Sequence, residues 1–258
     1  MPEDCALGNS LLDHVMRVGI HQPHYLPWLR YLQKIAHSDV FIILDDVDYT
    51  KNGWQNRNKI KGPDGWMYLT VPVSSSLGQH ILDVPIAKGD WATKHLKALE
   101  TNYRRAPYFD LYIDGLASLY RQQWTNLAEL NVAMMQFYVA CLGIKTEMVR
   151  SSQLGITDVS TLRLISLCRA VGGTTYYTGE YAVDAYLDVN AFADAGIELE
   201  YQKWHCPEYR QLFPKAGFIA DLAIPDLLFN MGADSLEILL AGGRPAGPVG
   251  SSDSTVEV

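Results

Sequence analysis

The sequence predicts an α/β protein built on a mostly parallel sheet with helices on both faces. Three observations carry that expectation. Short apolar runs alternate with stretches whose apolar residues recur at helical spacing. Residues 17–44 read as strand, loop, helix, strand, the order of a βαβ unit. The run Val40-Phe41-Ile42-Ile43-Leu44 has no polar face, as in a parallel strand covered on both sides.

Arg17-Val18-Gly19-Ile20 reads as a short buried strand, stopped where Pro23 and Pro27 forbid regular structure. Residues 29–38 follow as a helix, with Leu29, Leu32, Ile35 and Ala36 at helical spacing. Residues 39–44 form the second strand and end at Asp45-Asp46. Residues 51–61 read as a polar, aromatic loop, 66–73 as a third strand with Met67, Leu69, Val71 and Val73 on one face, and 81–86 as an edge strand. Helices are expected over 91–103, 107–124 and 126–142, the last stopped by Gly143. A strand over 147–150 precedes a helix over 160–171, closed by Gly172-Gly173. Residues 174–178 read as a strand running into Gly179-Glu180, 189–195 as a helix, 197–204 as a strand, and 219–230 as loop then helix. The order gives about five or six sheet strands, with a helical cap or insertion. A single domain is expected over residues 17–240. A flexible extension (1–16) and a disordered tail (241–258), rich in Gly, Pro and Ser, flank it.

The 258 residues are 48% hydrophobic and 19% charged, enough to bury a sizeable core. The net charge of −8 disfavours generic binding of nucleic acid, so DNA is not an expected partner, although a local basic patch can still hold a phosphate or nucleotide. Cys5, Cys141, Cys168 and Cys206 form no C-x-x-C pair. Cys141 and Cys168 read as core thiols, and Cys206, beside His205, as a weak nucleophile candidate. No apolar run approaches ~18 residues and the first 17 residues lack an apolar signal core, so a cytoplasmic protein with no membrane partner is expected.

In open parallel sheets, ligands bind outside the carboxyl ends of the strands. Two polar clusters fall at such ends: His21-Gln22-Pro23-His24-Tyr25 after the first strand, and Asp45-Asp46 after the second. If the two strands are neighbours, the clusters share a cleft. His21 and His24 are candidate proton acceptors, with Asp45 or Asp46 orienting them or binding an ammonium group. Two histidines ahead of a helix also resemble, in part, the HIGH motif of nucleotidyl-transfer enzymes, where imidazoles and helix N–H groups steady ATP phosphates. The motif's second glycine-histidine is missing, and Pro27-Trp28 stand there instead. The stretch Lys51-Asn52-Gly53-Trp54-Gln55-Asn56-Arg57-Asn58-Lys59 packs amides, cations and a tryptophan together, a composition suited to holding a ligand rather than spacing two strands. Gln22, Tyr25, Lys51, Asn52, Trp54, Gln55, Asn56, Arg57, Asn58 and Lys59 are therefore candidate binders, with Gly179, Glu180, His205, Tyr209 and Gln211 from later strand ends. Histidine and aspartate occur together, yet no H-x-x-x-H or H-E-x-x-H spacing points to a metal.

Several of these stretches together are similar to the WbqC-like family. They include residues 20–28, Lys34-Ile35, Ser38-Asp39-Val40-Phe41, Leu44-Asp45-Asp46-Val47 and Trp54-Gln55-Asn56-Arg57-Asn58. Tyr177-Thr178-Gly179, Tyr186-Leu187-Asp188, Gly196-Ile197, His205 with Pro207, Tyr209 and Gln211, and Pro225-Asp226-Leu227-Leu228-Phe229-Asn230 with Gly232 complete the pattern. Arg30 departs from it, standing where glycine is expected. The resemblance implies a role in surface-polysaccharide (O-antigen) or antibiotic and other natural-product biosynthesis. The activity it implies is acyl or aminoacyl (glycyl-type) transfer, forming an amide on an amine such as an amino sugar. The donor would be an acyl carrier protein thioester, an aminoacyl-tRNA, or an adenylate made from ATP. In that mechanism His21 or His24 takes the amine proton and Gln55, Asn56 and Arg57 hold the donor or its oxyanion. Lys59 or Lys61 would neutralise phosphate if ATP is used. A HIGH-type nucleotidyltransferase or ligase and a non-catalytic sugar- or carrier-protein-binding module are the alternatives.

Overall fold

A computed structural model describes residues 15–180 and 187–242. The expected features in residues 1–14, Tyr186 and the tail beyond residue 242 lie outside this range.

The sheet is five-stranded and parallel, in the order β5-β2-β1-β6-β7. β1 (Arg17–His21) is central. Residues 22–28 lead into α1 (Leu29–Ala36), and β2 (Val40–Ile43) returns beside β1 with Val18 opposite Val40 and His21 opposite Ile43. The two polar clusters thus end adjacent strands. β5 (Glu147–Arg150) extends the sheet beyond β2. The chain then crosses back through α5 (Ser160–Ala170) to β6 (Thr175–Gly179), which pairs with the free edge of β1. α6 (Val189–Asp194), capped by the Asp188 carboxylate, leads to β7 (Glu198–Gln202).

Period-two alternation sorts the strand residues into two cores. Val18, Ile20, Val40 and Ile42 face α5 and α6, together with Leu164, Leu167, Cys168 and Phe192. Phe41 and Ile43 face the opposite layer, with Tyr31, Leu32 and Ile35 of α1. That layer also holds α2 (Trp91–Tyr103), α3 (Phe109–Arg121), α4 (Leu127–Leu142), α7 (Ile224–Met231) and α8 (Ser235–Ala241). α4 begins where the Asn126 side chain accepts from the Glu129 N–H at 3.1 Å and ends at Gly143, whose φ of 70° closes the last turn.

Two expectations need correction. Residues 57–62 are not loop: β3 (Arg57–Gly62) pairs antiparallel with β4 (Gly65–Thr70). This hairpin stands apart from the main sheet, so the third strand expected over 66–73 does not extend the sheet. β3 hides its strand character because polar residues occupy both faces: Asn58 and Lys61 are buried, but by specific hydrogen bonds rather than apolar packing. Residues 81–86 are also not an edge strand. Ile81–Asp83 is a single 3₁₀ turn, flanked by isolated bridges from Val73 to Ile86 and from Pro85 to Asn126.

Candidate functional site

The chain runs outward from β1 through β2 to β5, then reverses to place β6 on β1's other side. That reversal opens a crevice at the carboxyl ends of β1 and its neighbours, where open α/β sheets place ligands. A cleft of about 400 Å³ lies at this rim, lined by Ile20, His21, Gln22, Leu44, Ser160 and Arg163 among others. Gly179 ends β6 at the same rim, and a Cβ built on it would meet open space.

His21 and His24 lie edge to face with ring centroids 4.7 Å apart, and the Tyr31 ring packs 5.0 Å and 4.9 Å from them. Lys34 follows Tyr31 by one helical turn and is buried. Gly19 permits this approach: a Cβ there would sit 2.4 Å from Ser38 Oγ, 3.0 Å from Phe41 Cδ2 and 3.4 Å from Lys34 Cγ. Burial drives the His21 pKa down to about 3, helped by the Lys34 charge and opposed by a bond to the Gln22 carbonyl. Burial, then the charges of His21 and Lys34, hold His24 well below its usual range. Lys34 itself is lowered to about 8 by burial and then by the nearby Arg30 charge. Among the described residues no carboxylate forms an ion pair with Lys34. The His21 Nδ1 stands 3.2 Å from the Gln22 carbonyl, which assigns the proton of the neutral ring to Nδ1 and leaves Nε2 as an acceptor. His24 Nδ1 is buried with no protein partner.

The amide-rich loop meets the histidine segment, but not with all its side chains. Gln55 Nε2 donates to Gln22 Oε1 at 2.6 Å, Tyr25 N donates to the Trp54 carbonyl at 3.1 Å, and Trp54 stacks on Trp28 at 5.8 Å. Gly53 lets the Gln55 amide fold back, since a Cβ there would lie 2.2 Å from Gln55 Oε1. Asn131 of α4 donates to both the Pro23 and Gln55 carbonyls, at 3.2 and 2.7 Å. Gln55 Oε1 and Asn131 Oδ1 are buried without partners, as His24 Nδ1 is, so polar capacity is left over around this segment. Asn56 and Asn58 instead support backbone, donating to Val71 O and Leu26 O. Arg57 reaches the Asn52 carbonyl at 2.6 Å and covers Tyr68, on the outer face of the hairpin with Lys59. Lys51 and Asn52 are exposed.

The two acids divide. Asp45, fully buried, accepts from Arg150 Nε at 2.6 Å, Ser152 N at 3.1 Å, Ser152 Oγ at 3.0 Å and Ser151 Oγ at 3.2 Å, so its carboxylate ties β2 to the end of β5. Asp46 accepts from Ser151 Oγ and pairs with Arg163 at 2.6 Å. That last contact has ion-pair distance without hydrogen-bond alignment, and Arg163 Nε and Nη2 are buried without a hydrogen-bond partner. Arg163, paired with Asp46, lines the cleft that His21 also lines.

Other candidates lie elsewhere. Tyr25 points into the helical layer, its hydroxyl bonded to His95 Nδ1 at 2.7 Å and to Tyr120. Tyr209 donates to Asp226 at 2.8 Å, and Gln211 accepts from Lys61 Nζ at 2.9 Å and donates to Ile219 O. These form a second buried polar cluster, in which burial raises Asp226 to about 6 against the bonds from Tyr209 and Tyr103. His205 and Glu180 are exposed. Burial raises the thiols, Cys168 to about 12, Cys141 to about 11, and Cys206 less far. Among the described residues no three His, Cys, Asp or Glu side chains are placed to hold a metal, and no helix is long and apolar enough to cross a membrane.

Sequence reasoning missed Tyr31, Lys34 and Arg163. A signal for the first two existed: Tyr31, Lys34, Ile35 and Ser38 fall at i, i+3, i+4 and i+7, the buried stripe of the helix. Arg163 carries no comparable mark.

Strand order and crevice together define an open, doubly wound α/β protein with a cleft at its switch point. The chain belongs to the WbqC-like protein family, whose pattern matches residues 22–238. It is 38% identical over 229 residues to a Mycobacterium tuberculosis (strain ATCC 25618 / H37Rv) protein described as uncharacterized protein Rv1507c, covering 86% of this chain and 97% of that one. No solved structure matches.

Proposed function

We propose that the protein is an acyl- or aminoacyltransferase that forms an amide on an amine acceptor such as an amino sugar, in surface-polysaccharide or natural-product biosynthesis. The observation that carries this reading is Lys34, a buried residue unpaired by any described carboxylate, whose charge acts on both His21 and His24. In this reading the acceptor nitrogen attacks the donor's carbonyl carbon. The C–N bond forms, the bond to the donor's leaving oxygen or sulfur breaks, and the amine proton passes to neutral Lys34. A base with a pKa of about 8 is well matched to that step near neutrality, whereas an imidazole at about 3 is too weak. His21 then acts as a neutral acceptor through Nε2, orienting the amine, and Gln55 is the amide nearest the reacting groups. Arg163, which lines the cleft beside Asp46, is the cation placed to meet an anionic part of the donor.

The test is to supply an amino sugar with ATP and glycine, with a glycyl carrier-protein thioester, or with glycyl-tRNA, and to look for the acylated amine by mass. The expected result is amide formation whose rate rises with an apparent pKa near 8, and its loss in Lys34→Met and His21→Gln. Full turnover in both variants refutes the assignment. Ligand binding without turnover would instead favour a binding module.

The strand order favours a second reading, nucleotidyl transfer, because it sets His21 and His24 ahead of a helix at the switch point. Pyrophosphate release from ATP without an amine acceptor is its signature.

A further inference from the structure

The hairpin and the segment after β1 share a surface feature that the crevice chemistry does not use. Cross-strand register sets Lys59 opposite Tyr68 and Arg57 opposite Thr70, so Arg57, Lys59, Trp66 and Tyr68 occupy one face of the hairpin. Arg57 lies over the Tyr68 ring at 4.6 Å, and Lys59 over Trp66 at 4.6 Å and Trp54 at 5.8 Å. Trp54 stacks on Trp28, and Arg30 lies 5.8 Å from the Trp28 ring while its Nη2 donates to the Trp204 carbonyl at 2.9 Å. Rings and cations thus alternate in one strip. Trp66 at its outer end is about half exposed, at 49%. Arg30, Arg57 and Lys59 form no ion pair with a described carboxylate, although the whole chain carries −8.

We propose that this strip binds single-stranded RNA, its rings stacking on bases and its uncompensated cations meeting phosphates. The chemistry selects that partner. Stacking platforms interleaved with positive charge suit a strand whose bases are unpaired and whose backbone is anionic. A neutral sugar would be met by planar amides or carboxylates between the rings, and here the intervening groups are cations. A duplex hides its base faces, leaving the rings without a role. The inner end of the strip adjoins the crevice, since Trp54 is hydrogen-bonded to Tyr25 and the neighbouring Gln55 to Gln22. If the transferase reading holds, on which this step alone rests, the donor is an aminoacylated RNA 3′ end laid along the strip with its ester entering the crevice.

The experiment is fluorescence anisotropy on the intact chain with a labelled RNA of about 12 nucleotides ending in CCA, alongside the same sequence as duplex. Inorganic polyphosphate and an amino-sugar oligosaccharide serve as competitors. The strand is expected to bind at least ~10-fold more tightly than the duplex, and Trp66→Ala to weaken it by ~10-fold. A variant with Arg57→Ala and Lys59→Ala should flatten the dependence of log Kd on log salt by about 1.4 for two lost phosphate contacts. Thermal melts of the variants check that these surface changes leave the fold intact. Failure to bind the strand at tens of micromolar, unchanged binding by Trp66→Ala, or equal binding of strand and duplex would overturn the proposal. Displacement by oligosaccharide but not by polyphosphate would also overturn it and assign the strip to a sugar. If the strand binds but its aminoacylated form donates nothing, the strip stands as an RNA-binding surface and the aminoacyl-RNA donor falls, whereas failure of every donor overturns the transferase reading itself.

Discussion

Replacing Lys34 by Met should stabilise the protein at neutral pH, although it removes a charged residue of the proposed site. The folded state lowers this amine from 10.5 to about 8, so the unfolded chain holds the proton more tightly. Below pH 8 that difference costs the fold about 3 kcal/mol. Lys34 lies in the last turn of α1, where its positive charge regains about 0.3–1 kcal/mol from the helix dipole. Met matches Lys in length and helix propensity, so little else changes. The expected gain is thus about 2–3 kcal/mol at pH 7, or roughly 4–12 °C in Tm for a chain of this size. Between pH 8 and 10.5 the unfolded chain binds more protons than the folded one, so wild-type stability gains from this group as pH rises. The advantage of the variant should therefore shrink to about 1 kcal/mol at pH 10. Urea denaturation at pH 7 and pH 10 measures both numbers. A variant that is less stable at pH 7, or an advantage that does not narrow with pH, would refute the picture of an unpaired, desolvated amine. A gain in stability with a loss of transfer activity would show a residue kept for chemistry against the interest of the fold.

The remaining predictions follow from the same geometry. His21 stays neutral in the fold down to about pH 3 but titrates at 6.5 when unfolded, so stability should fall as pH drops through that window. By pH 4 its share is up to about 3 kcal/mol, and His21→Gln should flatten acid denaturation curves accordingly. Asp45→Asn should cost about 1–3 kcal/mol, read as a lower urea midpoint, because a neutral amide replaces the carboxylate that accepts from Arg150, Ser151 and Ser152, while Glu129 still pairs Arg150. Gly19→Ala should cost about 1–3 kcal/mol, because the added methyl meets Ser38 Oγ at 2.4 Å and Phe41 at 3.0 Å; a neutral effect would mean that α1 moves freely on the sheet.

Much of the fold was legible because burial dictated residue type. β2 could only be a covered strand, and α4 announced both ends through Asn126 and Gly143. The hairpin was half hidden because its strands are filled by residues chosen for hydrogen bonds and ring stacking, so no apolar alternation marks β3. At the site, the spacing of His21 and His24 from the end of β1 was readable, whereas the adjacency of β1 and β2 entered only as a condition, which their pairing meets. What side chains do once there was less so. Asp45 and Asp46 are consecutive and chemically alike, yet one is consumed by Arg150 and two serines, and the other faces Arg163. Arg57 and Gln55, two residues apart, turn to different places because Arg57 begins a strand and Gln55 precedes it. For the two acids the choice depends on partners more than 100 residues away, which no local pattern encodes.

The amide of Asn131 has a wider meaning for how this molecule is assembled. It grips the carbonyls of Pro23 and Gln55, in two stretches that also touch through Tyr25 N and the Trp54 carbonyl, and so adds a third element to their junction. A helix from the middle of the chain thus works as the gauge that sets the distance between them. A fragment ending before that helix lacks both of these bonds, and a change in the tilt of α4 is carried to the junction where Gln22 and Gln55 touch.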